Sequence, residues 1–147
     1  MSRLEIRKLQ MSDLDEIAKI EKEAFPKAWS HKTFIKELEN NFAHYLVGLL
    51  ADEIVVYIGG WFLDDRVHIT TLATKVEYRQ EGLAKEILAE FLARAKEENK
   101  SKVSLEVRVS NKKAQQLYLK EGFFKIAKKR GYYKDNGEDA ILMWKQL

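Results

Sequence analysis

The chain contains no cysteine. Disulfides, thiolate metal sites and a cysteine nucleophile are therefore excluded. No apolar run approaches the ~20 residues that a membrane-spanning helix needs, so no membrane partner is expected. The opening M-S-R-L-E-I-R-K-L alternates charged and apolar residues, which reads as a strand and not as a secretory leader. Proline, glycine and serine form no linker, and no repeat or low-complexity segment interrupts the chain. A single domain over residues 1–147 and a cytoplasmic location are the expectations. His31, His44 and His68 fall at no metal-ligand spacing, so they read as structural and no metal is expected. The formal net charge is only +3, too mild to argue for a nucleic-acid partner.

What is present is enough for a core, since 46% of the 147 residues are hydrophobic. The chain is organised around one stretch. Val67 to Thr74 is rich in β-branched and apolar residues and reads as a buried strand. A polar turn, Lys75 to Glu81, follows. From Gly82 the apolar residues Leu83, Ile87, Leu88, Phe91, Leu92 and Ala95 form one helical stripe. A strand thus feeds a helix through R-Q-E-G-L-A, Arg79 to Ala84. Free N–H groups and the positive end of the helix dipole collect there, which makes an anion site. Gly82 and Ala84 are small enough to let a diphosphate approach the main chain.

The remaining elements follow in order. Arg3 to Leu9 alternates as a half-buried strand. Ser12 is placed to cap a first helix carrying Leu14, Ile17, Ala18, Ile20 and Ala24, and Phe25-Pro26 ends it. Ser30 caps a second helix with Phe34, Ile35 and Leu38. Phe25 and Trp29, between the two, either pack the loop or wall a substrate groove. Phe42 to Leu50 and Ile54 to Leu63 form a hairpin that leads into the Val67 strand, and Gly59-Gly60 marks a bulge or close backbone approach. After the long helix, Asn99 is the stop. Lys102 to Val109 is a strand, and a strand–helix–strand order implies a parallel crossover. Ser110 caps a helix from Asn111 to Glu121 that ends at Gly122. A long hairpin closes the chain, F-F-K-I-A and A-I-L-M-W around a loop. The order β-α-α-β-β-β-α-β-α-β-β predicts an α/β protein with a mixed sheet and helices on both faces.

The stretch L-E-V-R-V-S-N-K-K-A-Q-Q-L-Y-L-K-E-G-F, Leu105 to Phe123, is similar to the signature of the RimI-type branch of the GNAT N-acetyltransferases. The turn at Arg79 fits the family pattern R/Q-x-x-G-x-G/A, and the element order is that of the GNAT fold. The resemblance covers nearly the whole chain. It implies a protein N-terminal α-amine as acceptor, in bacteria the alanine of a small-subunit ribosomal protein, and acetyl-CoA as co-substrate. It places coenzyme binding at Leu72, Ala73 and Thr74, beside a splayed parallel strand pair. It adds Arg79, Gln80, Glu81, Gly82, Leu83, Ala84 and Lys85 for the diphosphate, and Asn111 for the pantetheine arm. Catalysis falls to Glu106, as a base acting through water, and Tyr118, as the acid returning a proton to the thiolate. F-P-K-A-W-S, with Phe25 and Trp29, resembles the border of the peptide site, and Tyr132, Tyr133 and Asp139 would line the same groove. Two departures stand out. Thr74-Lys75-Val76 replaces the frequent V-D-P, and Ala84 takes the second small position.

The residues themselves leave alternatives. Glu106 sits in an otherwise apolar strand, where it either pairs with Arg108 or serves as a base of raised pKa. Tyr118 shares a stripe with Ala114 and Leu117 and is either core or acid. A phenol at ~10 is a weaker acid than a thiol at ~8.5, so full transfer is uphill by ~2 kcal/mol and hydrogen bonding to the thiolate fits it better. An α-ammonium at ~7.7–8.0 is easier to deprotonate than a lysine at ~10.4, by about 3.5 kcal/mol. A small amine such as a polyamine or aminoglycoside is the alternative acceptor. A non-catalytic RNA-binding module, resting on K-I-A-K-K-R from Lys125 to Arg130, is the alternative of another class.

Overall fold

The computed structural model describes residues 4–25 and 29–147. The expected start of the first strand at Arg3 and the helix-ending role of Pro26 lie outside the described residues. Strand β1 spans Glu5–Lys8, helices α1 and α2 span Leu14–Ala24 and His31–Leu38, and β2, β3 and β4 span Ala43–Leu50, Glu53–Leu63 and Arg66–Thr74. Helix α3 is Leu83–Glu97, β5 Lys102–Arg108, α4 Lys112–Lys120, and the hairpin β6 and β7 Phe124–Tyr133 and Glu138–Gln146. The element order matches the sequence expectation. One mixed seven-stranded sheet runs β1-β2-β3-β4-β5-β7-β6. Among the described residues no helix is long and apolar enough to cross a membrane.

Two helix starts differ from the sequence reading. A short 3₁₀ turn, Met11–Asp13, moves the start of α1 past Ser12. Asp13 precedes α1 without a side-chain cap bond to it; its carboxylate reaches back to close the 3₁₀ turn, accepting from the Gln10 amide at 2.7 Å and pairing bidentately with Arg7 at 2.8 and 3.0 Å. At α4 the cap is Asn111, not Ser110: its Oδ1 accepts from the Ala114 amide at 3.1 Å. Ser30 caps α2 as expected, through the Thr33 amide.

Helices cover both faces. Leu14, Ile17 and Ile20 of α1 and Phe34 of α2 bury Tyr45, Val47 and Tyr57 on one side. On the other, Leu83, Ile87, Leu88 and Phe91 of α3 pack on Ile58, Val67, Ile69 and Leu105, and Tyr118 of α4 joins them. A bulge in the middle decides how these layers meet. Gly59 pairs with Thr71 but Gly60 pairs with Ile69, so Thr70 is the extra residue. Ile69 therefore belongs to the α3 core, while Ala73 belongs to the α1 core.

The parallel pair of β4 and β5 is short. It runs from Arg66↔Lys102 to Ile69↔Leu105 and stops. Beyond that point β4 stays paired with β3 as far as Thr74↔Val56, and β5 stays paired with β7 as far as Arg108↔Ala140. The strands splay at the bulge. Gly60 lets β3 and β4 approach closely at that level: a Cβ there would lie 2.6 Å from the His68 carbonyl oxygen and 3.1 Å from the Ile69 Cα. Neighbouring backbone cannot retreat as a side-chain tip can. Gly60→Ala is expected to lower stability by about 1–3 kcal/mol, read as a lower midpoint in chemical unfolding.

Candidate active site

The splay opens into a cavity of about 400 Å³. Its walls are Thr70 to Leu72 of β4 and Leu105 to Arg108 of β5, with Glu21 on α1, Phe25 and Trp29 after it, Tyr118 on α4, and Tyr132 to Asp135 at the end of the last hairpin. Of the residues singled out in the sequence, Phe25, Trp29, Leu72, Glu106, Asn111, Tyr118, Tyr132 and Tyr133 converge on it. Asp139 does not line it. Its carboxylate accepts from the Gly131 amide at 2.9 Å and holds the hairpin instead.

Glu106 is not paired with Arg108 and its pKa is not raised. Oε1 lies 2.8 Å from His68 Nε2, and Oε2 accepts from Lys129 Nζ at 2.7 Å. The hydrogen bond from His68 and then that from Lys129 outweigh burial and hold the carboxyl down to about 2. An ionised carboxylate only accepts, so Nε2 carries a proton toward it. His68 Nδ1 meets Ser104 Oγ at 2.8 Å, which fixes the ring between two strands. Lys129 places a primary ammonium directly on the carboxylate.

Arg108 turns the other way. It reaches Asp135 at 2.8 Å and Glu138 at 3.3 Å, and its guanidinium stacks 4.0 Å from the Tyr133 ring. Glu138 accepts from the Ser110 amide at 2.7 Å and is held at about 2, chiefly by its bonds with Ser110. These contacts tie the tip of the last hairpin to the end of β5 and set Tyr133 against the cavity. Tyr118 is buried, and burial pushes its phenol up.

The strand-to-helix turn lies at the outer end of the splay. Gly82 adopts φ +80° and Gln80 φ +65°. Glu86 donates to the Gly82 carbonyl as the first bond of α3, so the amides from Leu83 to Lys85 precede the ladder. A Cβ on Gly82 would meet nothing within 4 Å, so the main chain is open to a ligand there. The turn lacks the frequent proline, yet Glu53 pins it, accepting from Lys75 at 2.6 Å and from Tyr78 at 2.9 Å. The open amides, the small residues and the unpaired edge of β4 fit a diphosphate and an extended pantetheine arm.

Sequence reasoning missed His68, Lys129 and Glu21. His68 had a usable signal: in a parallel pair it stands beside Ser104, on the face that also carries Glu106. Lys129 and Glu21 depend on the hairpin's path and the seating of α1, which no local pattern reveals.

A sequence profile described as "Acetyltransferase (GNAT) family" matches residues 14–123. The chain belongs to the GNAT acetyltransferase family. A Bacillus subtilis protein provisionally named [ribosomal protein bS18]-alanine N-acetyltransferase is 39% identical over 140 residues, 95% of this chain and 93% of that protein. An N-alpha-acetyltransferase of Saccharolobus solfataricus is 32% identical over 155 residues, covering 97% of this chain and 92% of its own. The crystal structure of the Escherichia coli ribosomal-protein-S18-alanine N-acetyltransferase superimposes with a TM-score of 0.91 at 26% identity, over 97% of this chain and 93% of that one.

In this GNAT chain the Glu106 pair has a thermodynamic consequence. A carboxyl ordinarily near 4.5 but held at about 2 when folded favours the folded state above pH 4.5. That contribution fades as the pH falls from about 4.5 toward 2. It amounts to at most about 3.5 kcal/mol. Glu106→Gln is expected to show a shallower loss of stability than wild type across that window, measured by urea unfolding at successive pH values.

Proposed function

We propose that this acetyl-CoA-dependent N-acetyltransferase acts on protein N-terminal α-amines, with the N-terminal alanine of a small-subunit ribosomal protein as the leading acceptor. The relatives named for that activity support this reading, and so does one structural observation. The sheet opens at Ile69 and Leu105, and the next residue of β5 is a carboxylate already holding a primary ammonium, that of Lys129. The opening thus accommodates an amine beside a carboxylate.

Under this reading the thioester lies along the free edge of β4 from Thr71 to Thr74, with the diphosphate at residues 79–85 and Asn111 near the pantetheine arm. The acceptor enters past Phe25, Trp29, Tyr132 and Tyr133. The amine nitrogen, once deprotonated, attacks the thioester carbonyl. A C–N bond forms, the C–S bond breaks, and the sulfur leaves as a thiolate that takes up a proton. Glu106 is too acidic to store the ammonium's proton, since transfer from ~7.7–8.0 to about 2 is uphill by nearly 6 units, about 8 kcal/mol. Its part is to orient a water beside the attacking nitrogen. Tyr118 stays protonated because burial raises it, so it donates a hydrogen bond to the departing sulfur and does not surrender its proton.

Incubation with acetyl-CoA and a peptide library starting Ala, Ser, Met or Glu, followed by mass spectrometry, is expected to yield N-terminally acetylated product, strongest with Ala. Spermidine and an aminoglycoside are expected to remain unmodified. Glu106→Gln is expected to lose about 10²-fold or more in turnover, with Tyr118→Phe also impaired and coenzyme binding kept in both. Acetylation of the small amines alone would move the acceptor to another class.

A further inference from the structure

Three carboxyls line the cavity. Asp135 is paired with Arg108, and the other two, Glu106 and Glu21, have opposite surroundings. Glu106 has a cation-forming partner on each oxygen. Glu21 has none. It is 4% exposed on α1 and faces the same space. Its hydrogen bonds come from neutral donors: the Tyr57 hydroxyl on Oε1, and the Trp29 amide on Oε2 at 3.4 Å. Tyr57 is itself fully buried and accepts from Thr71 Oγ1 at 3.3 Å, on the free segment of β4. Among the described residues no lysine, arginine or histidine pairs with Glu21. An ionised carboxylate buried without a counter-ion is costly, and burial accordingly pushes Glu21 up. A molecule whose acceptor arrives as a cation does not need its own cation there.

We propose that Glu21 receives the acceptor's α-ammonium and takes its proton. This rests on the reading of the chain as an N-terminal acetyltransferase. Glu106 is already neutralised by the protein, so the incoming charge is drawn to the carboxyl that is not. At a carboxyl as buried as Glu21, the ammonium–carboxylate pair and the neutral amine with carboxylic acid are brought closer in energy, because desolvation disfavours both charged forms. One proton passes from nitrogen to Glu21, leaving a lone pair free to attack. The nitrogen's second proton leaves after the C–N bond forms, and a proton reaches the thiolate sulfur. The acid form of Glu21 returns its proton to water as the neutral amide departs, so each turnover releases one proton net. Tyr57 and the Trp29 amide hold the carboxyl in place beside Thr71, near the position the thioester would take.

The test separates charge recognition from structural support. An Ala-led hexapeptide and its desamino analogue, identical but without the α-amine, are titrated into the wild-type protein with coenzyme A present. The wild type is expected to bind the amine form at least 10-fold tighter. Glu21→Gln keeps the shape and an acceptor for Tyr57, and is expected to bind both forms alike. Its kcat/KM for the peptide is expected to fall by about 10²-fold, while coenzyme affinity and melting temperature stay near wild type. Glu21→Asp, which keeps the charge, is expected to retain part of the discrimination and serves if the glutamine variant does not fold. A protein that acetylates the peptide, yet discriminates amine from desamino equally well with and without the Glu21 carboxylate, would overturn the proposal while leaving the function standing. Equal loss of affinity for both peptides would also overturn it, by showing a purely structural role. Failure of the wild type to acetylate any peptide would remove the function and the proposal together.

Discussion

The structure depends on where two strands stop being neighbours. β4 and β5 share a ladder of four residue pairs and then part at Ile69 and Leu105. Each strand keeps its outer partner, so the parting costs few hydrogen bonds within the sheet. What it leaves is an edge of main chain inside the molecule, the kind of group that demands a partner. The bulge at Gly59-Gly60 sits at the same level and re-aims β4. The α1 core and the α3 core are thereby stitched to one strand on either side of Thr70, and the cavity opens between them.

Electrostatics then divides the cavity. On the β5 side the carboxylate is clamped by an imidazole and a lysine and stays charged through the physiological range. On the α1 side a carboxyl is surrounded by hydroxyl, amide and hydrocarbon. Two glutamates thus have opposite proton affinities because one accepts hydrogen bonds from an imidazole and an ammonium and the other has burial. Tyr118, buried between α4 and the sheet, follows the second pattern. The last hairpin closes the arrangement, since Arg108 gathers Asp135, Glu138 and the Tyr133 ring to one point.

Much of this was legible in the residues. Periodicity placed all eleven main elements, because the stripes of α1 and α3 and the alternation of β5 are strong and local. The Leu105 to Phe123 signature located Glu106, Asn111 and Tyr118, and the structure brings all three to one cavity. Helix starts were less legible: Ser12 falls inside a 3₁₀ turn that precedes α1, and Asn111, next to Ser110, holds the cap of α4. The protonation behaviour of Glu106 was misread because its partners come from β4 and β6, 38 and 23 residues away. Glu21 lies outside the apolar stripe by which the first helix is recognised in the sequence. Only the packing of α1 over Tyr57 shows that its carboxyl points inward.

The short ladder between β4 and β5 also bears on mechanics. Strands β1 to β4 form one plate and β5 to β7 another, joined edge to edge along four residue pairs. An extended molecule lodged in the gap, bonded to both margins, would act as the missing length of seam. Without it the two plates are held by that short seam and by the α3 core, to which Ile69 and Leu105 contribute from either side.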